Sequence, residues 1–376
     1  MNKNYCMKRI VCLLICVCSY FQLFSQGVDF KQITLKEALE QAKAQGKMVF
    51  MDCYTTWCGP CKMMVQDVFS REDGGQFMNT HFVNVKLDME KGEGRELAKK
   101  YQVKVYPTFL ILNEDGEVIH KMVGGMKAEE FLQNVQNGIG EHSLYSYEKR
   151  YVNGERDPQF VYSYIETLAR AFMKERMEEV LHEYWGTLTD QEKSGKENWM
   201  LVKRFVKNPS LPEYKYLLEY KKDFDAAVSK DSVDRKIYDD LFPLIVNDCN
   251  EIIFHDKVNA VQLLDTYKTC VAQSEIVGQD YLLDIVEFTR AFLSGDLKKA
   301  LKMYDKKFSR LDNDARFDVT LQLNGMLIRK GDAKMCKRGL ELIEKTMKDC
   351  GWSVDDPLFA AVVSGLKDKF KDNKDE

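Results

Sequence analysis

The chain has 376 residues, enough for two or more domains with their own cores. Lysine and arginine total 55 against 59 acids, a formal charge of −4, and that balance points to neither nucleic acid nor an anionic membrane surface as a partner.

Residues 1–26 read as a secretory signal peptide. "MNKNYCMKR" is a basic start, "IVCLLICVCSYFQLF" a short apolar run, and "SQG" offers a small residue for cleavage. The run is too short and wrongly flanked for a comfortable membrane span, and no later run is long enough to cross a bilayer. Met7 is an alternative start, and an uncleaved anchor or a lipid-modified cysteine is the rival to cleavage. Cleavage would leave a periplasmic or secreted chain with no membrane span. It would keep seven of eleven cysteines: Cys53, Cys58, Cys61, Cys249, Cys270, Cys336 and Cys350. Seven is too sparse for a disulfide-rich scaffold, and an odd number cannot all be bridged.

Residues 28–142 alternate helical and strand patterns. "ITLKEALEQAKAQGK" places Leu35, Ala38, Leu39 and Ala42 on one helical face. Thr34 and Glu37 form a capping box before it, and Gly46 stands just past its end. "KMVFMDCYT" is a nearly continuous apolar run, as in a strand buried on both faces. "FVNVKLDM" alternates, with Val83, Val85 and Leu87 facing one way. "GRELAKKYQV" is a short amphipathic helix, "TFLILNEDGEVIHKMVGG" two strands joined at "NEDGE", and "KAEEFLQNVQNGI" a helix with Phe131, Leu132, Val135 and Ile139 on one stripe. With "VDFKQI" as a candidate first strand, this order predicts a central sheet covered by helices on both faces.

Residues 143–157 read as a linker, and 158–376 as an all-helical domain of long amphipathic segments. An internal echo pairs "RAFMKERMEEVLHEY" with "RAFLSGDLKKALKMY", matching Phe172, Met177, Leu181 and Tyr184 to Phe292, Leu297, Leu301 and Tyr304. A second "GD" follows the one at Gly295 by 36 residues, close to the spacing of tetratricopeptide-like helical hairpins.

The stretch "CYTTWCGPCKMM" carries the chemistry. The pair follows a buried strand and precedes a helix-compatible run, which places Cys58 at a helix N-terminus, where free N–H groups and the macrodipole favour a thiolate. Cys61 falls one turn deeper, within bonding reach but less exposed, and Pro60 sits in the first turn, where its missing N–H matters little. A zinc site wants a second such pair, and none exists. Haem attachment would need histidine where Lys62 stands. A staple closing so short a loop would stabilise weakly. An attacking and a resolving thiol fit best. Cys53 reads as a small buried hydrophobe. His81, His120, His142, His182 and His255 show no ligand spacing and read as surface residues. Cys249, Cys270, Cys336 and Cys350 read as buried thiols, with a Cys249–Cys270 bridge as the alternative.

"WCGPCK" after "MVFMDCYTT" resembles the thioredoxin family, and the resemblance covers about residues 28–142. It implies an α/β thioredoxin fold, a central mixed sheet flanked by helices, ahead of the all-α region. Asp52 matches the buried acid under the family's dithiol, which would move a proton to or from Cys61, and Lys86 matches the partly buried lysine beside it. "VYPTFLIL" matches the segment with the cis-proline, so the Tyr106–Pro107 bond is expected to be cis, with substrate pairing alongside. Trp57, Gly59, Pro60, Tyr106, Pro107 and Gly124 would line the substrate groove. No metal and no cofactor is implied. The distance from Cys61 to Pro107 leaves no room for the helical insertion of cytochrome-maturation thioredoxins. The chain is most similar to exported thioredoxin-like proteins and to the soluble C-terminal domain of the transmembrane disulfide reductase. It departs from the family at Cys53, Tyr54 and "SREDGGQFMNTHF".

The resemblance implies a protein-disulfide reductase that acts on disulfide-containing proteins through Cys58 and Cys61. Gly-Pro between the cysteines resembles reducing members, and a reductase in an oxidising compartment would need a membrane electron donor. The alternatives are a disulfide oxidase or isomerase, and a scaffold acting mainly through its helical domain.

Overall fold

The computed structural model describes residues 27–311 and 313–371. The expected signal peptide lies outside the described residues. The chain forms two compact units, one ending at Thr187 and the other beginning at Leu188.

In the first unit the elements run β1 (Phe30–Lys31), α1 (Leu35–Gln45), β2 (Met48–Tyr54), α2 (Gly59–Met63), α3 (Glu72–His81), β3 (Phe82–Asp88), α4 (Gly94–Lys100), β4 (Thr108–Leu112), β5 (Val118–Val123) and α5 (Ala128–Gly138). The capping box of α1 is formed: Glu37 N–H donates to Thr34 Oγ1 at 3.2 Å, and Thr34 N–H donates to Glu37 Oε2 at 2.8 Å. Gly46 ends that helix at φ 62°, a conformation that residues with a Cβ rarely adopt. Beyond α2 the chain continues as a π-helical stretch over Met64–Phe69.

The sheet order is β1-β3-β2-β4-β5, parallel through β3 and antiparallel at β4 and β5. Strand alternation sorts the core into two layers. Val49, Met51 and Cys53 face Ala38, Ala42, Val85 and Leu110 under α1. Phe50 faces the other way, among Met64, Phe69, Phe109 and Phe131. Its ring lies 5.9 Å from Phe109 and 5.8 Å from Phe131, in the range where aromatic pairs add to simple burial. Asp52, two residues on from Phe50, therefore points to the face that α2 and its π-helical continuation cover.

The stretch expected as a linker is ordered helix. α6 (Leu144–Val152) starts on Ser143, whose Oγ accepts the Ser146 N–H at 3.2 Å, and packs against β5 through buried Leu144, Tyr147 and Tyr151. α7 (Pro158–Arg170) and α8 (Lys174–Thr187) follow in the same unit. The helical part thus begins inside the first unit, because an apolar stripe at 144, 147 and 151 needs a surface to cover.

The second unit is all helix: α9 (Asp190–Ser194), α10 (Lys196–Phe205), α11 (Pro212–Glu219), α12 (Lys221–Ala227), α13 (Lys230–His255), α14 (Ala260–Ser274), α15 (Gln279–Leu293), α16 (Leu297–Lys306), α17 (Asn313–Lys330), α18 (Ala333–Cys350) and α19 (Pro357–Lys371). α13 buries Ile237, Leu241, Ile245, Cys249 and Ile252 along one stripe and packs on α15. It also buries an ion pair between Lys236 and Asp240, and Lys236 Nζ donates to Val206 O at 2.8 Å. Cys249, Cys270, Cys336 and Cys350 are free thiols, so the alternative Cys249–Cys270 bridge is not formed. The two copies of the internal echo lie in different units and differ at their first matched position: Phe172 is 63% exposed and Phe292 is 1% exposed. Among the described residues, no helix is long and apolar enough to cross a membrane.

Candidate active site

The end of β2 and the start of α2 bring the dithiol together. Cys58 is the N-cap of α2, in extended backbone geometry, and its Sγ accepts the Cys61 N–H at 3.1 Å. A sulfur in that place takes the role usually filled by a serine or aspartate oxygen. Pro60 occupies the first turn. Cys58 and Cys61 are joined in a disulfide, with their Cα atoms 5.3 Å apart. Cys61 was expected to be less exposed than Cys58; in this oxidised form the two are equally covered, at 4% and 3%. The bond draws both sulfurs into the same layer beneath the surface.

Asp52 and Lys86 are register partners on the parallel pair β2–β3, so their side chains share one face. Lys86 Nζ lies 3.3 Å from Asp52 Oδ2 and 4.6 Å from the centre of the Tyr54 ring. Asp52 is 1% exposed, and neither of its carboxylate oxygens accepts a hydrogen bond from a described residue. Burial raises its pKa from 3.8 to about 6, with Lys86 pulling the other way. Cys53, on the opposite face, is fully buried, and burial together with the Asp52 charge pushes its thiol well up.

The rim of the site comes from three segments. Trp57 is 65% exposed; its Nε1–H donates to Glu90 Oε1 at 3.0 Å, and its ring meets Tyr106 edge-on at 6.0 Å. The Tyr106–Pro107 peptide bond is cis. Thr108 Oγ1 donates to Val105 O at 2.7 Å and closes that loop. Gly124, at φ 93°, donates its N–H to Pro107 O at 2.8 Å. Gly125 follows it, and a Cβ there would stand 3.4 Å from Pro60 Cβ. Gly59, with open space where a Cβ would be, leaves the dithiol loop accessible from above.

Cys58, Cys61, Trp57, Gly59 and Pro60 thus share one loop, Asp52 and Lys86 the strands behind it, and Tyr106, Pro107 and Gly124 the neighbouring edge. Glu90 was not among the expected residues. Its only signal was its place in the loop leaving β3, on the same side of the sheet as the dithiol. His120 was expected at the surface and is 6% exposed instead. It shares the face of β5 with Met122 and accepts the Leu144 N–H at Nδ1 (3.3 Å); burial lowers its pKa from 6.5 to about 4. Among the described residues, no three His, Cys, Asp or Glu side chains cluster closely enough to hold a metal ion.

A sheet of this order with a disulfide at a helix head above a buried acid defines a thioredoxin-fold domain for thiol–disulfide exchange. Comparison with known proteins agrees. Residues 35–139 match the family model described as a thioredoxin-like domain. A thioredoxin-like protein of Synechocystis sp. is 34% identical over 97 residues, covering 26% of this chain and 87% of that protein. The thiol:disulfide interchange protein DsbD of Pseudomonas fluorescens is 31% identical over 102 residues, covering 26% of this chain and 18% of that protein. A solution structure from Bacteroides thetaiotaomicron, described as a disulphide-isomerase, is 47% identical, covering 31% of this chain and 95% of that chain with a TM-score of 0.29. Other thioredoxins are spanned over 70%, 63%, 52% and 44% of their own length. The chain belongs to the thioredoxin family, and its first unit carries a thioredoxin-like thiol–disulfide oxidoreductase domain with the Cys58–Cys61 pair.

Proposed function

We propose that the protein is an exported reductase of disulfides in periplasmic or secreted proteins. In the reduced enzyme the Cys58 thiolate, favoured by its place at the head of α2, attacks one sulfur of a substrate cystine. A mixed disulfide forms and the first substrate thiolate leaves. Cys61, having given up its proton, attacks Cys58 Sγ; the second substrate thiolate departs, and the enzyme keeps the disulfide. The substrate has gained two electrons and the enzyme has lost them. Asp52, whose pKa burial raises to about 6, is the group that accepts the Cys61 proton, and Lys86 pulls that pKa back down. Trp57, Gly59, Pro60, Tyr106, Pro107 and Gly124 form the surface on which the substrate backbone lies. Likeness to the interchange protein of Pseudomonas supports a membrane dithiol donor that restores the reduced state.

The observation that carries the exchange step is the Cys61 N–H held on Cys58 Sγ at the helix head, because the same donor would stabilise the attacking thiolate after reduction; the reducing direction rests on the likeness of Gly59-Pro60 to reducing members. Two measurements test it. A reductase should have a potential near the roughly −270 mV of thioredoxin and should reduce a protein disulfide, whereas a value near the roughly −120 mV of strong oxidants would assign the opposite direction. A Cys61→Ser variant should accumulate mixed disulfides through Cys58 with exported cystine-containing proteins; if none accumulate, the substrate assignment fails.

A further inference from the structure

The first unit holds a feature that the dithiol exchange does not use: a trough of about 610 Å³ along the free edge of β5. β5 is the last strand of the sheet. The bond from Gly124 N–H to Pro107 O at 2.8 Å sets the direction of its backbone groups. In an antiparallel ladder these groups alternate, so His120 and Met122 turn theirs to β4 while Lys121 and Val123 turn theirs outward. No backbone hydrogen bond joins Lys121 or Val123 to another described loop or turn. His120, Lys121, Met122 and Val123 line the trough in succession, as its floor.

The walls suit a peptide backbone. α5 contributes Gln133 and Asn137, and α7 contributes Ser163 and Thr167. The side-chain amides of Gln133 and Asn137 make no hydrogen bond to a described residue. Amides both donate and accept, so Gln133 and Asn137 serve peptide groups whatever the side chains attached; the Ser163 and Thr167 hydroxyls donate to Gln159 O (2.9 Å) and Ser163 O (2.8 Å) of their own helix and offer lone pairs alone. Phe172 also lines it, 63% exposed and at φ 55°, in the left-handed position after α7 that glycine usually takes. A large ring in water on a strained backbone is disfavoured twice, and a bound chain would cover it. Val123 and Met126, both in its lining, bracket Gly124 and Gly125, and Gly125 lies against Pro60 between the two cysteines. Met126 of the trough is thus one residue from the glycine that packs on the dithiol loop.

We propose that this trough binds the substrate: an extended, locally unfolded polypeptide that adds a strand to the edge of β5 while its cystine lies at Cys58. The inference rests on the reductase reading and deepens it, since the substrates become unfolded cystine-containing chains and not folded partners. An added strand of four residues spans about 13 Å, the reach of His120 to Val123.

The test is a series of peptide disulfides of increasing length on either side of the cysteine. With the full-length reduced enzyme, kcat/KM should rise about tenfold once the peptide reaches the trough, as about two net backbone hydrogen bonds would give. Gln133→Trp, an exposed position whose ring would fill the trough, should flatten that length dependence. In the mixed disulfide of Cys61→Ser with the long peptide, the Lys121 and Val123 amides should exchange more slowly than in the free protein, a readout that does not depend on how Gln133→Trp folds. Equal rates at all lengths with no amide protection would overturn the proposal and leave the reductase reading standing; failure to reduce even the shortest peptide would overturn the reductase reading itself. Protection of the same amides in the free protein, lost on dilution, would give the edge to a second copy and overturn the substrate assignment.

Discussion

Asp52→Asn should stabilise the oxidised protein above about pH 6 and leave it unchanged below pH 3.8. Asparagine has the shape of the protonated acid, so at low pH the two proteins present the same neutral group beside Lys86. Between these limits the unfolded chain has lost the Asp52 proton while the folded chain still holds it. Stability of the natural protein therefore falls as pH rises from 3.8 to about 6, then levels off once the folded carboxyl is also ionised. At about 1.36 kcal/mol per pH unit the ionised, buried carboxylate costs about 3 kcal/mol, with the Lys86 attraction already counted. The assay is native-state hydrogen exchange at Met51 and Val85, which lie in the β2–β3 core, comparing the two proteins at each pH so that intrinsic exchange rates cancel. The difference in opening free energy should be near zero at pH 3.8 and grow to a plateau above about pH 6. A difference that is flat with pH, or a variant less stable than the natural protein at neutral pH, would refute the claim that burial outweighs the ion pair.

His120 has the opposite sign. Its folded pKa lies below the ordinary value, at about 4 against 6.5, so the stability present above pH 6.5 is lost as pH falls towards 4. His120→Gln should remove that loss, about 3 kcal/mol at its largest. Because the two slopes oppose each other over nearly the same window, denaturant midpoints of the natural protein should change little between pH 4 and 6, and each single variant should expose the slope of the other group. In the second unit, Asp240→Ala strands Lys236, whose side chain is 1% exposed, and should cost about 3–5 kcal/mol, read as faster exchange at Ile237 and Leu241.

Local patterns foretold the fold where one short-range rule decided the outcome. Thr34, Glu37 and Gly46 fix the ends of α1 through caps that need no tertiary partner. The alternation in "MVFMDCY" separates Cys53 from Asp52, and the matching strand "FVNVKLD" brings Lys86 opposite Asp52. The dithiol was legible because its chemistry depends on a helix start that the residues around it announce. What escaped depends on surfaces that residues distant in the chain provide. The turn into a π-helix at Met64–Phe69 has no composition cue in "MVQDVF". His120 is polar on a strand that an antiparallel edge could leave wet; Gly138 of α5 packs on its ring, and the Leu144 N–H from α6 makes it an acceptor.

That same contact bears on why a catalytic domain of this kind carries extra helices. α6 covers the His120 end of β5, and α7 runs past the outward backbone groups of Lys121 and Val123 without bonding to them. A helix recruited only to protect an aggregation-prone edge would close over it, or place lysine or proline along it. Here Lys121 sends its Nζ to Gln102 O at 3.1 Å, back over the sheet, and leaves the edge clear. Phe172 stays in a left-handed conformation beside that open edge, where a glycine would relieve the strain but lose the apolar ring. An edge that is walled yet unpaired, beside the Gly125 that packs on Pro60 of the dithiol loop, is what a transiently bound strand needs. Phe172→Gly separates the two accounts: it should raise stability while lowering kcat/KM for long peptide disulfides, and a rise in both would mean the ring serves packing and not substrate.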